Sequence, residues 1–177
     1  MATFYPSITE EQAALIANAP LFFVATADPE LAHGPHGVGP VNVSPKGGVP
    51  LHILDANRVA FVDYVGSGNE TARHSLAGGP ITLMVCSFED DQAAIIRLYG
   101  TAQVTPFDQS PLAQQLPQPT NPGAPAVARY VIEVAIEQTM TSCGYGVPVM
   151  SFVRNRRTVD RGTRYKRPAK RAQTAES

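Results

Sequence analysis

The sequence predicts a mostly antiparallel β-barrel with short helices at its rim. Three observations carry this. Six or seven segments read as strands, against three short helices. The connections after 21–27, 51–54 and 81–88 hold no helix, which argues against a parallel βαβ array. Residues 129–137 alternate, with Tyr130, Ile132, Val134 and Ile136 on one face and Arg129, Val131, Glu133, Ala135 and Glu137 on the other. Such alternation marks a half-buried antiparallel strand.

Each element has its own signal. Residues 9–18 read as a helix opened by the capping box Thr9-x-x-Gln12, with Leu15 and Ile16 on its apolar side and Asn18-Ala19-Pro20 as its stop. Residues 21–27 are aromatic and β-branched, as strands prefer. A long loop with His33 and His36 follows. Residues 40–44 form a short strand, and Pro45-Lys46-Gly47-Gly48 turns the chain. Strands at 51–54 and 58–65 flank Asp55-Ala56-Asn57. A short helix over 70–77 is stopped by Gly78, Gly79 and Pro80. Residues 81–88 are nearly all apolar, as in a strand covered on both faces. The strand 94–104 contains Gly100, a bulge or bend signal. Ser110-Pro111 opens a third helix, and a Pro-rich loop runs over 117–125.

The 177 residues suit one domain over 1–153 and a separate tail over 154–177. The net charge of −1 hides an asymmetry: the first part holds 5 Lys/Arg against 13 Asp/Glu, the tail 9 against 2. The tail is expected to be solvated and disordered beyond about residue 160. No apolar run approaches the roughly 20 residues that span a bilayer, and the N-terminus lacks signal-peptide regions, so the expected location is cytoplasmic. Cys86 reads as a core residue and Cys143 as a loop residue. No metal site is expected: His33 and His36 read as surface residues, and His52 and His74 as structural ones.

The most informative stretch is 58–74, where an apolar strand breaks into Gly66-Ser67-Gly68-Asn69 and then a helix. Two readings fit. A strand feeding a small polar loop and a helix N-terminus can cradle a phosphate. Alternatively, Ser67-x-x-Glu70 is a plain capping box.

Three segments resemble the pyridoxamine 5′-phosphate oxidase-like family of flavin mononucleotide (FMN)-binding split barrels. They are Val-Asn-Val-Ser-Pro-Lys-Gly (41–47), Val-Asp-Tyr-Val-Gly-Ser-Gly-Asn-Glu-Thr-Ala-Arg-His (62–74) and Ile-Arg-Leu-Tyr-Gly-Thr-Ala (96–102). The resemblance covers roughly residues 20–153 and implies a six-stranded split barrel, a homodimer, and FMN in a cleft between the two copies. It further implies that Asn42, Val43 and Ser44 lie against the flavin and that Lys46 adds charge near ring or phosphate. Val62 and Asp63 match backbone-contacting positions. Ser67, Gly68, Asn69 and Thr71 match the phosphate turn, with Arg73 a second phosphate candidate. Arg97 interrupts an apolar strand, so it faces a ligand or pairs with Glu89, Asp90 or Glu133. Cys143 and Tyr145 are substrate-side candidates, or part of a structural Gly/Pro turn.

The chain departs from the named oxidase, which uses a C-terminal Arg-x-His motif and a tryptophan-containing segment. It has no Trp, and no His follows His74. Vitamin B6 phosphates are therefore not the expected substrate, and no catalytic residue stands out. The expected function is an FMN-dependent oxidoreductase working by hydride transfer at flavin N5. Alternatives are a flavin carrier or sensor, a split barrel using F420 or haem, and nucleic-acid binding through the basic tail.

Overall fold

The computed structural model describes residues 1–66, 68–116 and 127–156. Ser67, the Pro-rich run 117–125 and the tail beyond Arg156 lie outside the described residues. The elements are β1 (Thr3–Tyr5), α1 (Glu10–Asn18), β2 (Leu21–Ala27), β3 (Val41–Gly47), β4 (His52–Asp55), β5 (Arg58–Tyr64), α2 (Glu70–Leu76), β6 (Ile81–Cys86), β7 (Ile95–Pro106) and β8 (Ala128–Ser142).

The capping box forms: Gln12 N donates to Thr9 Oγ1 and Thr9 N to Gln12 Oε1. Four expectations need correction. First, the sheet has eight strands among the described residues, against the six or seven read from the sequence and the six that the resemblance implies. β1 escapes a periodicity argument because it is three residues long, and pairing with β8 alone holds it. Second, β3 continues through the expected Pro45-Lys46-Gly47 turn. Proline is tolerated there because β3 is an edge strand, and the chain turns at Gly48 with φ +73°. Third, no helix starts at Ser110-Pro111. A 3₁₀ turn at Phe107–Gln109 and further turns take its place, leaving two α-helices among the described residues. Fourth, α2 begins at Glu70 with Asn69 as N-cap and no side-chain cap, so Glu70 does not occupy the third helical position that a Ser67 capping box requires.

The sheet order is β3-β2-β6-β7-β8-β5-β4, with every pair antiparallel. The path does not close, yet the sheet curls. Phe22 on β2 meets Phe61 on β5 edge to face at 5.3 Å, although three strands separate them. These rings sit in a core with Val24, Leu83, Leu98, Ile132 and Val134, and Ile16 of α1 plugs one end. A smaller cluster of Ala60, Val62, Leu116 and Val131 lies behind β5. β6 alternates between buried and half-buried side chains up to Val85 and Cys86, so it is covered less completely on one face than its composition suggested.

Gly100 is the expected irregularity. The β7–β8 register shifts between Tyr99 and Gly100, and a Cβ there would collide with the Ala135 carbonyl. Gly100→Ala is expected to cost about 1–3 kcal/mol through overpacking. A urea midpoint equal to the wild type would contradict this close approach.

Candidate functional site

β3 is a free edge of the sheet, and side chains rather than backbone pairing tie it to β5 and α2. Lys46 Nζ lies 3.1 Å from Asp63 Oδ1. Asn42 Nδ2 donates to Thr71 Oγ1 at 3.1 Å. From the far side, Arg129 donates to Asp63 Oδ2 through Nε at 3.1 Å and Nη2 at 2.7 Å, and Nη2 also reaches the Gly68 carbonyl at 3.1 Å. Asp63 is 4% exposed. A carboxylate this buried is tolerated only when paired and hydrogen-bonded, and two cations share the task.

Arg129 reaches Asp63 because the β5–β8 register shifts there. Asp63 opposes Tyr130, but Tyr64 opposes Ala128, which leaves Arg129 as the extra residue of a bulge. Bulges re-aim a side chain in this way. Strict alternation had put Arg129 on the face away from Tyr130 and Ile132.

These groups line a cavity of about 340 Å³ together with Ser44, Tyr64, Gly66, Gly68, Asn69, Glu70 and Ala72. Lys46 and Arg129 supply two positive charges, and Asp63 and Glu70 two negative ones. The Glu70 carboxylate packs against Gly68. Burial pushes the Tyr64 phenol up. Ser44 Oγ is buried in this wall without a hydrogen-bond partner among the described residues.

The structure thus brings together Asn42, Ser44, Lys46, Asp63, Gly68, Asn69 and Thr71. Ser67 lies outside the described residues, and the side chains of the other candidates do not line the cavity. Val43 points out of the opposite face of β3 and is 66% exposed, and Val62 is core. The Arg73 guanidinium packs on Gly34 and His74, outside the cavity. Arg97 sits on the outer face of β7, between Met84 and Met140 in the strand register. Among the described residues it makes no ion pair; Glu133 pairs with Arg58 instead. Cys143 and Tyr145 are exposed and line neither this cavity nor the larger one. The Tyr145 backbone N–H lowers the Cys143 thiol, whereas burial raises that of Cys86, with Arg97 partly offsetting it. Arg129 and Glu70 are the charged residues of this wall that sequence reasoning did not assign to the site, and Tyr64, Gly66 and Ala72 also line it.

A larger cavity of about 1330 Å³ opens between α1, the segment 86–94 and residues 150–156. None of the predicted site residues lines it. Among the described residues no three or more His, Cys, Asp or Glu side chains are grouped so as to hold a metal ion, and no helix is long and apolar enough to cross a membrane.

No protein-family model matches the chain. It is 34% identical over 173 residues to the pyridoxamine 5′-phosphate oxidase family protein ustO of Aspergillus flavus, a match covering 95% of this chain and 63% of that protein. The chain therefore spans less than two thirds of that relative's length. Among solved structures it resembles a candidate pyridoxamine 5′-phosphate oxidase from Lactobacillus delbrueckii, with TM-score 0.54 and 22% identity over 76% of this chain and 94% of that one. Group A Streptococcus HupZ follows, with TM-score 0.52 and 21% identity over 75% and 91%. At these identities the structural likeness speaks for the fold.

Removing one member of a buried ion cluster leaves the others uncompensated. Asp63→Ala is expected to lose about 3–5 kcal/mol of stability by denaturant unfolding. A loss below that of an exposed pair would show that Asp63 does not hold the split together.

Proposed function

We propose that this chain, which resembles a pyridoxamine 5′-phosphate oxidase family protein in sequence and proteins of that kind in fold, binds FMN in the cavity between β3, β5 and α2. The observation that carries this reading is Ser44 Oγ, a buried hydroxyl in the wall of a polar cavity with no hydrogen-bond partner among the described residues. Buried polar groups are nearly always satisfied, so an orphan in a cavity wall points to a ligand. The donor set supports the same conclusion. Lys46 carries three N–H donors and Arg129 five, and Asp63 and Gly68 use only some of them. The remaining donors suit a phosphate or ring carbonyls, with Asp63 keeping both cations in place. The cavity volume of about 340 Å³ sits at the lower end for small-molecule sites.

FMN bound here would supply hydride acceptance at its ring N5. Lys46 and Arg129 would hold its negative charge, Ser44 would contribute one hydrogen bond, and the split wall would keep water from one side. The activity proposed is oxidoreduction of a small substrate.

A second copy of this chain is proposed to complete the site. The outer face of β2, β3, β6 and β7 is largely apolar: Val41 and Val43 are 60% and 66% exposed, and Phe23 and Met84 are half-buried. Apolar faces of this kind mark association surfaces. β3 carries both this face, through Val43, and the cavity wall, through Asn42, Ser44 and Lys46. A copy seated on the face therefore borders the cavity. Arg97 lies on the same face and would bring a cation with it.

Purified protein is expected to bind one FMN per chain, seen as a bound visible flavin band and identified after denaturation. Lys46→Ala should weaken binding roughly 10- to 100-fold, the loss expected for a hydrogen bond to a charged group. Protein that takes up no FMN would refute the reading; FMN reduced by a donor would separate turnover from carriage. In sedimentation the wild type is expected to be a dimer and Val43→Glu a monomer. A wild-type monomer would remove the second copy from the site.

A further inference from the structure

A chain of polar groups runs inward from the cavity behind β3. Asn42 Nδ2 donates to Thr71 Oγ1 at 3.1 Å and, more weakly, to Thr26 Oγ1 at 3.5 Å. Thr26 Oγ1 lies 3.0 Å from His74 Nδ1, and His74 Nε2 lies 3.1 Å from Arg73 Nη2. Thr26 is 3% exposed and His74 is fully buried at 0%. Such a group needs both ring nitrogens satisfied.

The proton positions follow from the partners. A guanidinium has donors only, so His74 Nε2 accepts from Arg73. The ring is then neutral and carries its proton on Nδ1, which donates to Thr26 Oγ1. Both hydrogens of the Asn42 amide face threonine oxygens, and Oδ1 remains for the cavity that Asn42 lines.

We infer that His74 is a positioning residue: through Thr26 it sets the Asn42 amide so that the β3 wall offers an acceptor, and the ligand presents an N–H to it. This rests on the flavin reading above, and it names what the ligand must show at that wall. Oxidised isoalloxazine has a single ring N–H, at N3. An N3-methyl flavin would leave Asn42 Oδ1 without a donor.

The probes are FMN and its N3-methyl analogue, titrated into the full chain and followed by flavin fluorescence. The wild type is expected to bind the analogue roughly 10- to 100-fold more weakly, the range for stranding a buried acceptor. The near-isosteric Thr26→Val and the ring-keeping His74→Phe are expected to bring the ratio of the two dissociation constants toward unity. A purely packing role would lower the thermal midpoint and leave the ratio unchanged, which overturns the positioning role. A wild-type ratio near unity overturns the N–H assignment. Long-range ¹⁵N–¹H spectra of the protein alone are expected to show His74 as the neutral Nδ1–H tautomer. An Nε2–H or charged ring overturns the inference without reference to any flavin. If neither flavin binds, the flavin reading falls, and the tautomer still decides the role of His74.

Discussion

The buried carboxylate of Asp63 is the constraint around which the open side of the barrel is organised. It sits at 4% exposure on β5, where a charge is costly to leave alone. Lys46 comes to it from β3 and Arg129 from β8. β3 belongs to one end of the strand order and β5 lies near the other. The ion cluster therefore joins across space what the hydrogen-bond ladder leaves apart. Arg129 extends the tie to the Gly68 carbonyl, fixing the loop that leads into α2.

This arrangement explains why the cavity is polar although the barrel is not. A fully closed sheet would fill the gap between β3 and β5 with apolar side chains. Here the gap is lined by Asn42, Ser44, Lys46, Thr71 and Arg129. Part of their hydrogen-bonding capacity is spent within the protein and part is left open. Two cations and two carboxylates offset one another in the wall. The Glu70 carboxylate against Gly68 means that an entering anion meets a negative group as well as two positive ones.

The two faces of β3 divide the labour. Val41, Val43 and Pro45 face outward with Phe23, Met84 and Tyr99, while Asn42, Ser44 and Lys46 face the cavity. A period of two makes this division automatic once the strand continues through Pro45 to Gly47. Had the chain turned at Pro45, Lys46 would have lain in a loop, out of register with Phe22. The core supports the geometry from within, since Phe22 and Phe61 lock β2 against β5.

Much of the fold was legible because its signals are local. The Thr9 capping box, the run 21–27 and the Gly100 irregularity depend on residues a few positions apart, and all three appear; the alternation over 129–137 holds from Ile132 to Glu137, whereas Val131 is buried and Arg129 turns inward. The segments 41–47 and 62–74, singled out by their resemblance to the split-barrel family, hold most of the cavity's lining residues. Local rules failed where a distant partner decides. β1 exists only because β8 accepts it. Pro45 stays in a strand only because its edge is unpaired. Arg129 belongs to the site only because a bulge against Asp63 and Tyr64 turns it inward. His74 joins the cavity wall through Thr26, 48 residues away. Periodicity assigns a side chain to a face of its own strand. Which carboxylate, edge or hydroxyl waits on that face depends on how the sheet curls, and only the folded chain decides that.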